Sequence, residues 1–237
     1  MAHASAPTRI ERLVQHLLDG ADDPMGPELA RWLAESARFR TFSEANRDKI
    51  RKKLRSVADL EARLDLRAEL GTARLLLADR RIELAFEPYG SGKGGPDFGV
   101  TYRGERTFNV EVTRRRGASS GAGDGGQLLA KLRQLPPSVP NAVLVAIEGG
   151  GAEAYDVASA MRGLRARAEA NDDAFFTRRG LDGTRGFNQR SLRLGAVMVW
   201  CERATGDARA SVWINRSARI AVPERAVRAC LRCLRAE

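Results

Sequence analysis

The stretch from Pro96 to Thr113 constrains the fold more than any other part of the chain. Hydrophobic residues alternate with small or polar ones along two segments, 98–102 and 108–112. Such alternation predicts two β-strands, each with one apolar and one polar face. Residues opposite each other in an antiparallel pair lie on the same face, so the apolar sets coincide only if residues 103–105 form a three-residue loop. The stretch therefore predicts a β-hairpin in this register.

The same register places two carboxylates side by side on the polar face. It sets Asp97 directly opposite Glu111, whereas a two-residue loop would pair Phe98 with Glu111 and mix the two faces. Like charges directly opposite each other destabilise a sheet. The pair therefore suggests either a metal ion between the carboxylates or a shared proton.

A third carboxylate, Glu69, stands out in a predicted helix over residues 59–79. It lies in the middle of an apolar stripe with helical spacing, formed by Ala62, Leu66, Ala73 and Leu76. A carboxylate on a core-facing stripe is costly unless it is paired, protonated or bound to a metal. Two interpretations stay open, a buried ion pair with one of the many arginines and a metal ligand.

The predicted elements are helices, then three strands, a helix, a strand, further strands and a closing helix. The apolar run 142–147 is typical of a strand buried on both faces, and residues 171–189 are predicted to be irregular and basic. This order predicts an α/β sandwich around a mixed sheet. We place an N-terminal helical extension at residues 1–58 and the main domain at residues 59–237.

The chain is strongly basic, with a formal charge of +10 and a pI of about 10.3, so a polyanionic partner is plausible. Only five of the 40 basic residues are lysine, and an arginine bias can also arise from genome composition. The run 47–55 is compatible with a solvated helix face or with a phosphate-contacting helix. The candidate nucleic-acid contacts are Lys49, Lys52, Lys53, Lys93, Arg114, Arg115 and Arg116.

Several classes of protein do not fit the sequence. The only histidines, His3 and His16, lie near the N-terminus, which argues against a serine or cysteine hydrolase triad. The segment 90–95 resembles a phosphate-binding P-loop, but Glu87 stands where that motif needs glycine and Gly94 where it needs serine or threonine. An ATPase is therefore not expected.

The expected cellular location follows from two features that are not found in the sequence, a membrane-spanning run and a secretory signal. Its longest apolar run is far too short to span a bilayer, so no membrane partner is expected, and the N-terminus lacks the apolar core of a secretory signal. The three cysteines are odd in number and are interpreted as reduced thiols, two of them on the closing helix. We therefore expect a cytoplasmic protein.

Glu69 on a helix, Pro96-Asp97 at a strand start and Glu111-Val112-Thr113 on the next strand resemble the motif of the PD-(D/E)xK nuclease superfamily. The resemblance continues through the following helix and the strand at 142–147, and covers roughly residues 60 to 220. It implies a restriction-endonuclease-like fold and a nuclease.

The resemblance also implies a metal site. Asp97, Glu111 and the Val112 carbonyl would bind Mg²⁺ or Mn²⁺, and Glu69 would bind through water or hold a second ion. Such a metal polarises the phosphoryl group, lowers the pKa of the attacking water and stabilises the leaving oxygen. DNA is the expected substrate rather than RNA, because most of the superfamily cuts DNA.

The sequence departs from the family at Thr113, where relatives usually have a lysine that orients the water. Thr113 faces the right way without a charge, and Arg114 points to the opposite face. In some relatives the lysine has moved to the following helix. Here Lys131 is the candidate, on a stripe of helix 127–135 that it shares with Gln127 and Gln134.

Three functions follow. The first is a divalent-metal-dependent nuclease with Glu69, Asp97, Glu111, Gln127, Lys131 and Thr113 at its site. The second, motivated by Thr113 and the positive charge, is a catalytically degenerate nucleic-acid-binding or protein-interaction module on the same fold. The third is a structural protein whose carboxylates are paired with arginines.

Overall fold

The computed structural model divides the chain into two compact units, 1–78 and 79–237. The sequence placed the boundary at 58/59, before the helix that carries Glu69, whereas the structure places it after that helix. The residues that the structure describes are 7–20, 23–57, 59–90, 94–116, 125–148, 155–202 and 208–235.

The first unit is helical. Thr8 caps the first helix with a reciprocal capping box to Glu11, and the Asp59 carboxylate accepts from the Ala62 amide to cap the last. The last helix buries the stripe that the sequence predicted, including Leu66, Glu69 and Ala73. The helices are α1 (Arg9–Leu17), α2 (Gly26–Glu35), α3 (Ala37–Ala45), α4 (Arg47–Ser56) and α5 (Leu60–Leu76).

The second unit contains one six-stranded sheet and, in its described part, five helices. The strands are β1 (Ile82–Phe86), β2 (Phe98–Tyr102), β3 (Phe108–Arg116), β4 (Asn141–Glu148), β5 (Leu194–Glu202) and β6 (Ala208–Ile214). The helices are α6 (Gly126–Leu132), α7 (Val157–Glu169), α8 (Asp173–Thr177), α9 (Gly183–Ser191) and α10 (Glu224–Arg235).

The strands lie in the sheet in the order in which they occur in the chain. β1, β2 and β3 form an antiparallel meander; β3, β4 and β5 are parallel; β6 is antiparallel to β5. The parallel pairs require crossover connections, and α6 lies in the first of them while α7, α8 and α9 lie in the second. The predicted α/β class with a mixed sheet is confirmed.

Helices cover the central strands on both faces. Leu128 and Leu132 of α6 pack with Val143 of β4, Val197 of β5 and residues of α7–α9 in one core cluster. The alternate residues of β4 and β5 are also buried, and α10 contacts β5, β6 and β2. This arrangement is consistent with an α/β sandwich. No helix in the described part of the chain is long and apolar enough to cross a bilayer.

The hairpin has the register that the alternation predicts. Phe98 pairs with Val110 and Val100 with Phe108, and all four side chains are buried. The hydroxyls of Thr101 and Thr107, 2.7 Å apart, continue the same register. At the tip, Arg103 and Gly104 have φ angles of 54° and 67°, and the Glu105 amide donates to the Tyr102 carbonyl.

The prediction of irregular structure over 171–189 was wrong, because α8 and α9 lie there. The Asp172 carboxylate caps α8, whose Phe176 ring stacks on Phe187 of α9 at a centroid distance of 4.8 Å. Gly180, with a φ of 75°, lies in the turn between them. Helices this short depend on tertiary packing, which leaves a weak periodic signal in the sequence.

β6 forms one edge of the sheet. The guanidinium of Arg235, at the end of α10, donates two hydrogen bonds to the Ala210 carbonyl, of 2.9 and 2.6 Å. This contact fastens α10 to the edge strand.

Candidate functional site

Asp97 lies where the β2–β3 ladder ends, and its side chain continues that ladder. The last ladder pair is Phe98 with Val110, and beyond it Oδ2 of Asp97 accepts a 2.8 Å hydrogen bond from the Val112 amide. Extending the register places Asp97 opposite Glu111, as the sequence predicted. The Asp97 side chain is buried, with 8% of the residue exposed.

Glu111 is the most buried carboxylate among the described residues, with 1% of the residue exposed. Its Oε1 lies 2.5 Å from the Lys131 ammonium of α6. With its amide oriented as a donor, Gln134 also contacts both oxygens of this carboxylate. A buried carboxylate with a cation and an amide donor beside it is compensated for the loss of water.

The start of α6 is set by a close backbone approach. Gly125, immediately before the helix, has a φ of 64°, and a Cβ at this position would lie 2.6 Å from Cδ1 of Leu164 in α7. Only glycine fits such a position without strain. Because α6 then packs through its leucines on the sheet, Lys131 is directed at Glu111.

Glu111 and Thr113 lie on the sheet face that α6 covers. Glu111 pairs with Val143 and Thr113 with Val145, and both valines belong to the core under α6. The predicted polar face is therefore a polar patch enclosed within a mainly apolar layer. In such surroundings an electrostatic interaction is stronger than it is in water.

The other predicted residues on β3 and α6 are distributed around this pair. Thr113 is half-buried on the same face. Gln127 is exposed, and its amide lies 3.4 Å from the Arg114 carbonyl rather than at either carboxylate. Arg114 is buried on the opposite face, as predicted, and the Arg115 guanidinium lies 4.5 Å from the centroid of the Tyr155 ring.

Glu69 belongs to the first unit. Its Oε2 lies 2.5 Å from the ammonium of Lys53 in α4, and 9% of Glu69 is exposed. Its burial confirms the prediction that Glu69 lies on a core-facing apolar stripe. Of the two interpretations of this residue, a buried ion pair and a metal ligand, the structure shows the ion pair, formed with a lysine in place of the expected arginine. The metal role of Glu69 stays a prediction.

The predicted nucleic-acid contacts fall into separate places. Lys49 and Lys53 of α4 are half-buried and Lys52 is exposed. Arg114 and Arg115 lie on β3, which Arg116 ends. Lys93 and the loop 117–124 fall outside the described residues. Their contact with nucleic acid stays a prediction.

Gln134 is the site residue that sequence reasoning missed, although it shares a helical stripe with Lys131.

Within the described ranges, no group of three or more His, Cys, Asp or Glu side chains is arranged to hold a metal ion. Asp97 and Glu111 occupy opposite positions when the β2–β3 register is extended by one pair. All three cysteines are buried thiols outside any disulfide, and two lie on α10 as predicted.

No protein-family model, curated protein or solved structure matches the chain at a significant level.

Proposed function

We propose that the protein is a divalent-metal-dependent nuclease that hydrolyses phosphodiester bonds, in DNA rather than RNA. The observation that carries the proposal is the group formed by Asp97, Glu111 and Lys131. Two carboxylates occupy opposite register positions on neighbouring strands, and an ammonium from the next helix lies 2.5 Å from one of them. Carboxylates with an ammonium beside them, concentrated in an otherwise apolar layer, are typical of functional sites.

The order of elements supports the same proposal. The chain runs from α5 through the β1–β3 meander and α6 to β4, which is parallel to β3. This is the core order of the restriction-endonuclease-like fold that the motif resembles. The three buried thiols, none of them in a disulfide, suit the reducing cytoplasm in which we place the protein.

The donor atoms suit a hard cation such as Mg²⁺ or Mn²⁺. Magnesium is commonly bound by one or two carboxylates together with waters and substrate phosphates, so Asp97 and Glu111 suffice. The N–H and C=O of a strand residue point to the same side, so the Val112 carbonyl lies on the side where its amide meets Asp97. When bound, the metal would polarise the phosphoryl group and lower the pKa of a bound water.

Lys131 supplies the positive charge that Thr113 lacks. Its ammonium reaches the covered face of β3 from α6, at Glu111 and in the same layer as Thr113. An ammonium there would stabilise the negative charge that develops on the phosphoryl oxygens and would orient the attacking water. Phosphate contacts by the many arginines would hold the nucleic acid.

Cleavage of supercoiled plasmid in the presence of Mg²⁺ or Mn²⁺ tests the proposal. We expect nicking that depends on the divalent ion and falls by roughly a hundredfold or more in Asp97→Asn, which removes a ligand charge. Glu83→Gln is the matched control, because Glu83 is an exposed carboxylate on β1. Cleavage that persists in both Asp97→Asn and Glu111→Gln would overturn the assignment.

A second function is a nucleic-acid-binding or protein-interaction module without catalysis. Thr113 in place of lysine favours it, as does the compensation of Glu111 by Lys131 and Gln134. This module would bind DNA with a strong dependence on salt, without turnover, and equally well in Asp97→Asn. Turnover that requires Asp97 distinguishes the nuclease from the module.

A further inference from the structure

Four arginines gather at the end of the sheet where β4 and β5 begin. Arg133 follows α6, Arg190 lies on α9, Arg193 precedes β5 and Arg219 follows β6. We call these four residues the arginine cluster. They come from three segments of the second unit, since Arg190 and Arg193 are three residues apart, and none was among the nucleic-acid contacts predicted from the sequence.

Hydrogen bonds to main-chain carbonyls hold these segments together. Nη1 of Arg190 donates to the Arg133 carbonyl and Nη1 of Arg193 to the Leu135 carbonyl, both at 3.2 Å. The Arg219 amide donates to the Leu192 carbonyl at 2.7 Å. The Arg133 guanidinium packs over Gly180, where a Cβ would lie 2.5 Å from Nη1. The fold therefore positions the side chains of Arg133, Arg190 and Arg193 and the main chain of Arg219.

The cluster lacks an acidic counterpart. Among the described residues no carboxylate forms an ion pair with any of its four arginines, in contrast to pairs such as Arg67 with Glu28. Burial, followed by the neighbouring charges of Arg190 and Arg219, lowers the pKa of Arg193. The cluster therefore concentrates positive charge, and a bound anion would reduce the electrostatic repulsion among its arginines.

Phosphate is the anion that fits this chemistry. A guanidinium presents several N–H donors in a planar fork that matches phosphate oxygens, and one hydrogen bond to a carbonyl leaves most of these donors available. Arg133 and Arg219 are exposed, and Arg190 and Arg193 are half-buried. Four such groups at one end of the sheet suit a ligand with several phosphates in a row.

The cluster lies close enough to the carboxylates to act on the same strand of nucleic acid. Glu111 pairs with Val143, two residues into β4 from Asn141, which pairs with Leu194 beside Arg193. Two residues along a strand and two strands across correspond to about 12 Å between backbone positions, which is the rise of roughly three to four base pairs of duplex.

We propose that the arginine cluster binds the phosphate backbone of the nucleic acid and fixes its path across the second unit. The proposal rests on the proposed function for the identity of the polyanion. It assigns the cluster a positioning role without base recognition, since phosphate contacts set register and carry no sequence information.

Binding of a fluorescent DNA oligonucleotide to the full chain in EDTA, followed by anisotropy over a range of salt concentrations, tests the proposal apart from cleavage. The variants are Arg133→Ala, Arg219→Ala and their combination. Arg225→Ala is the matched control, because Arg225 is an exposed arginine on α10 with the same charge. Each cluster substitution should reduce the slope of log Kd against log salt by roughly 1, and the double variant by roughly 2.

Arg219→Lys should retain most of the slope, because it keeps the charge. Slopes that stay unchanged in the double variant, or that fall equally in Arg225→Ala, would overturn the proposal. The outcome is separable from the nuclease assignment. If binding depends on the cluster arginines but no metal-dependent cleavage is found, the proposal for the cluster holds and the nuclease assignment fails. If DNA is cleaved but the double variant binds it as the wild type does, the nuclease assignment holds and the proposal for the cluster fails.

Discussion

The Lys131 ammonium lies 2.5 Å from Oε1 of Glu111, and the pair joins α6 to the sheet face that this helix covers. The Glu111 side chain is 2% exposed and that of Lys131 is 23% exposed. The carboxylate therefore depends on a charge from another element, and solvent reaches only the lysine. The ion pair therefore contributes both to the stability of the fold and to the chemistry of the proposed site.

Removal of the Lys131 charge should destabilise the protein. Lys131→Met keeps the apolar stem but leaves Glu111 buried without this cation, which we expect to cost about 3 kcal/mol. Urea denaturation at neutral pH measures the loss. Adding Glu111→Gln should recover most of it, since no buried charge then remains at this position. A Lys131→Met protein as stable as the wild type would contradict the importance of the pair.

The same variant offers a test for metal binding that does not require turnover. If a divalent cation binds Glu111, it can replace the missing ammonium, so Mn²⁺ should raise the melting temperature of Lys131→Met more than that of the wild type. Lys52→Met, at an exposed lysine of α4, should respond to Mn²⁺ as the wild type does.

Two substitutions of Asp97 should separate its hydrogen bond from its charge. Asp97→Ala leaves the Val112 amide without its acceptor, and we expect a loss of about 1–3 kcal/mol and faster hydrogen exchange of that amide. Asp97→Asn keeps an acceptor and removes the charge beside Glu111, so its melting temperature should equal or exceed that of the wild type. Equal losses of stability in Asp97→Ala and Asp97→Asn would show that Asp97 does not stabilise the protein through this hydrogen bond.

Neighbouring lysines of α4 should behave differently. Lys53 pairs with Glu69, whereas Lys52 is exposed. Lys53→Met should lower the free energy of unfolding by about 1–2 kcal/mol, after allowance for partial exposure, and Lys52→Met by less than about 0.5 kcal/mol. Denaturant titration of both variants provides the comparison, and equal effects would argue that the ion pair does not stabilise the first unit.

Asp79 should make stability depend on pH at the acid end. A hydrogen bond from the Arg81 side chain lowers the pKa of Asp79 from 3.8 to about 2. The folded state therefore favours the ionised form; this stabilisation is fully present above about pH 4 and is lost as the pH falls through about 2. Asp79→Asn should be less stable by about 1 kcal/mol at neutral pH, with solvent screening taken into account.

The stability difference for Asp79→Asn should shrink when unfolding is measured at about pH 3. The exposed Glu83→Gln serves as its control and should follow the wild type throughout. A difference that stays constant from neutral to acid pH would exclude the ion pair with Arg81 as its cause.

The hairpin register could be predicted because the side-chain period of a strand is two. A shift by one residue would have placed Phe98 opposite Glu111, and no packing could compensate for that exchange. The burial of Glu69 followed from the helical period in the same way. Its partner Lys53 could not be predicted, because the pairing depends on how α4 packs against α5 rather than on spacing in the sequence.

Short helices and long-range contacts account for what sequence reasoning missed. α8 and α9 depend on the stacked rings of Phe176 and Phe187, a tertiary contact without a local signal. Gln134 reaches Glu111 from the turn that follows α6, a contact that depends on how this helix packs on the sheet. The arginine cluster likewise combines three distant parts of the chain, namely Arg133, the pair Arg190 and Arg193, and Arg219.

The hydrogen bonds from Arg235 to the Ala210 carbonyl also bear on self-association. Ala210 accepts them from α10, so this carbonyl is not available to template an incoming strand. An open sheet edge otherwise invites edge-to-edge aggregation, and a charged residue placed on it is one means of preventing this. The closing helix therefore occupies one of the hydrogen-bond acceptors to which a seventh strand from another copy would have to pair at this edge.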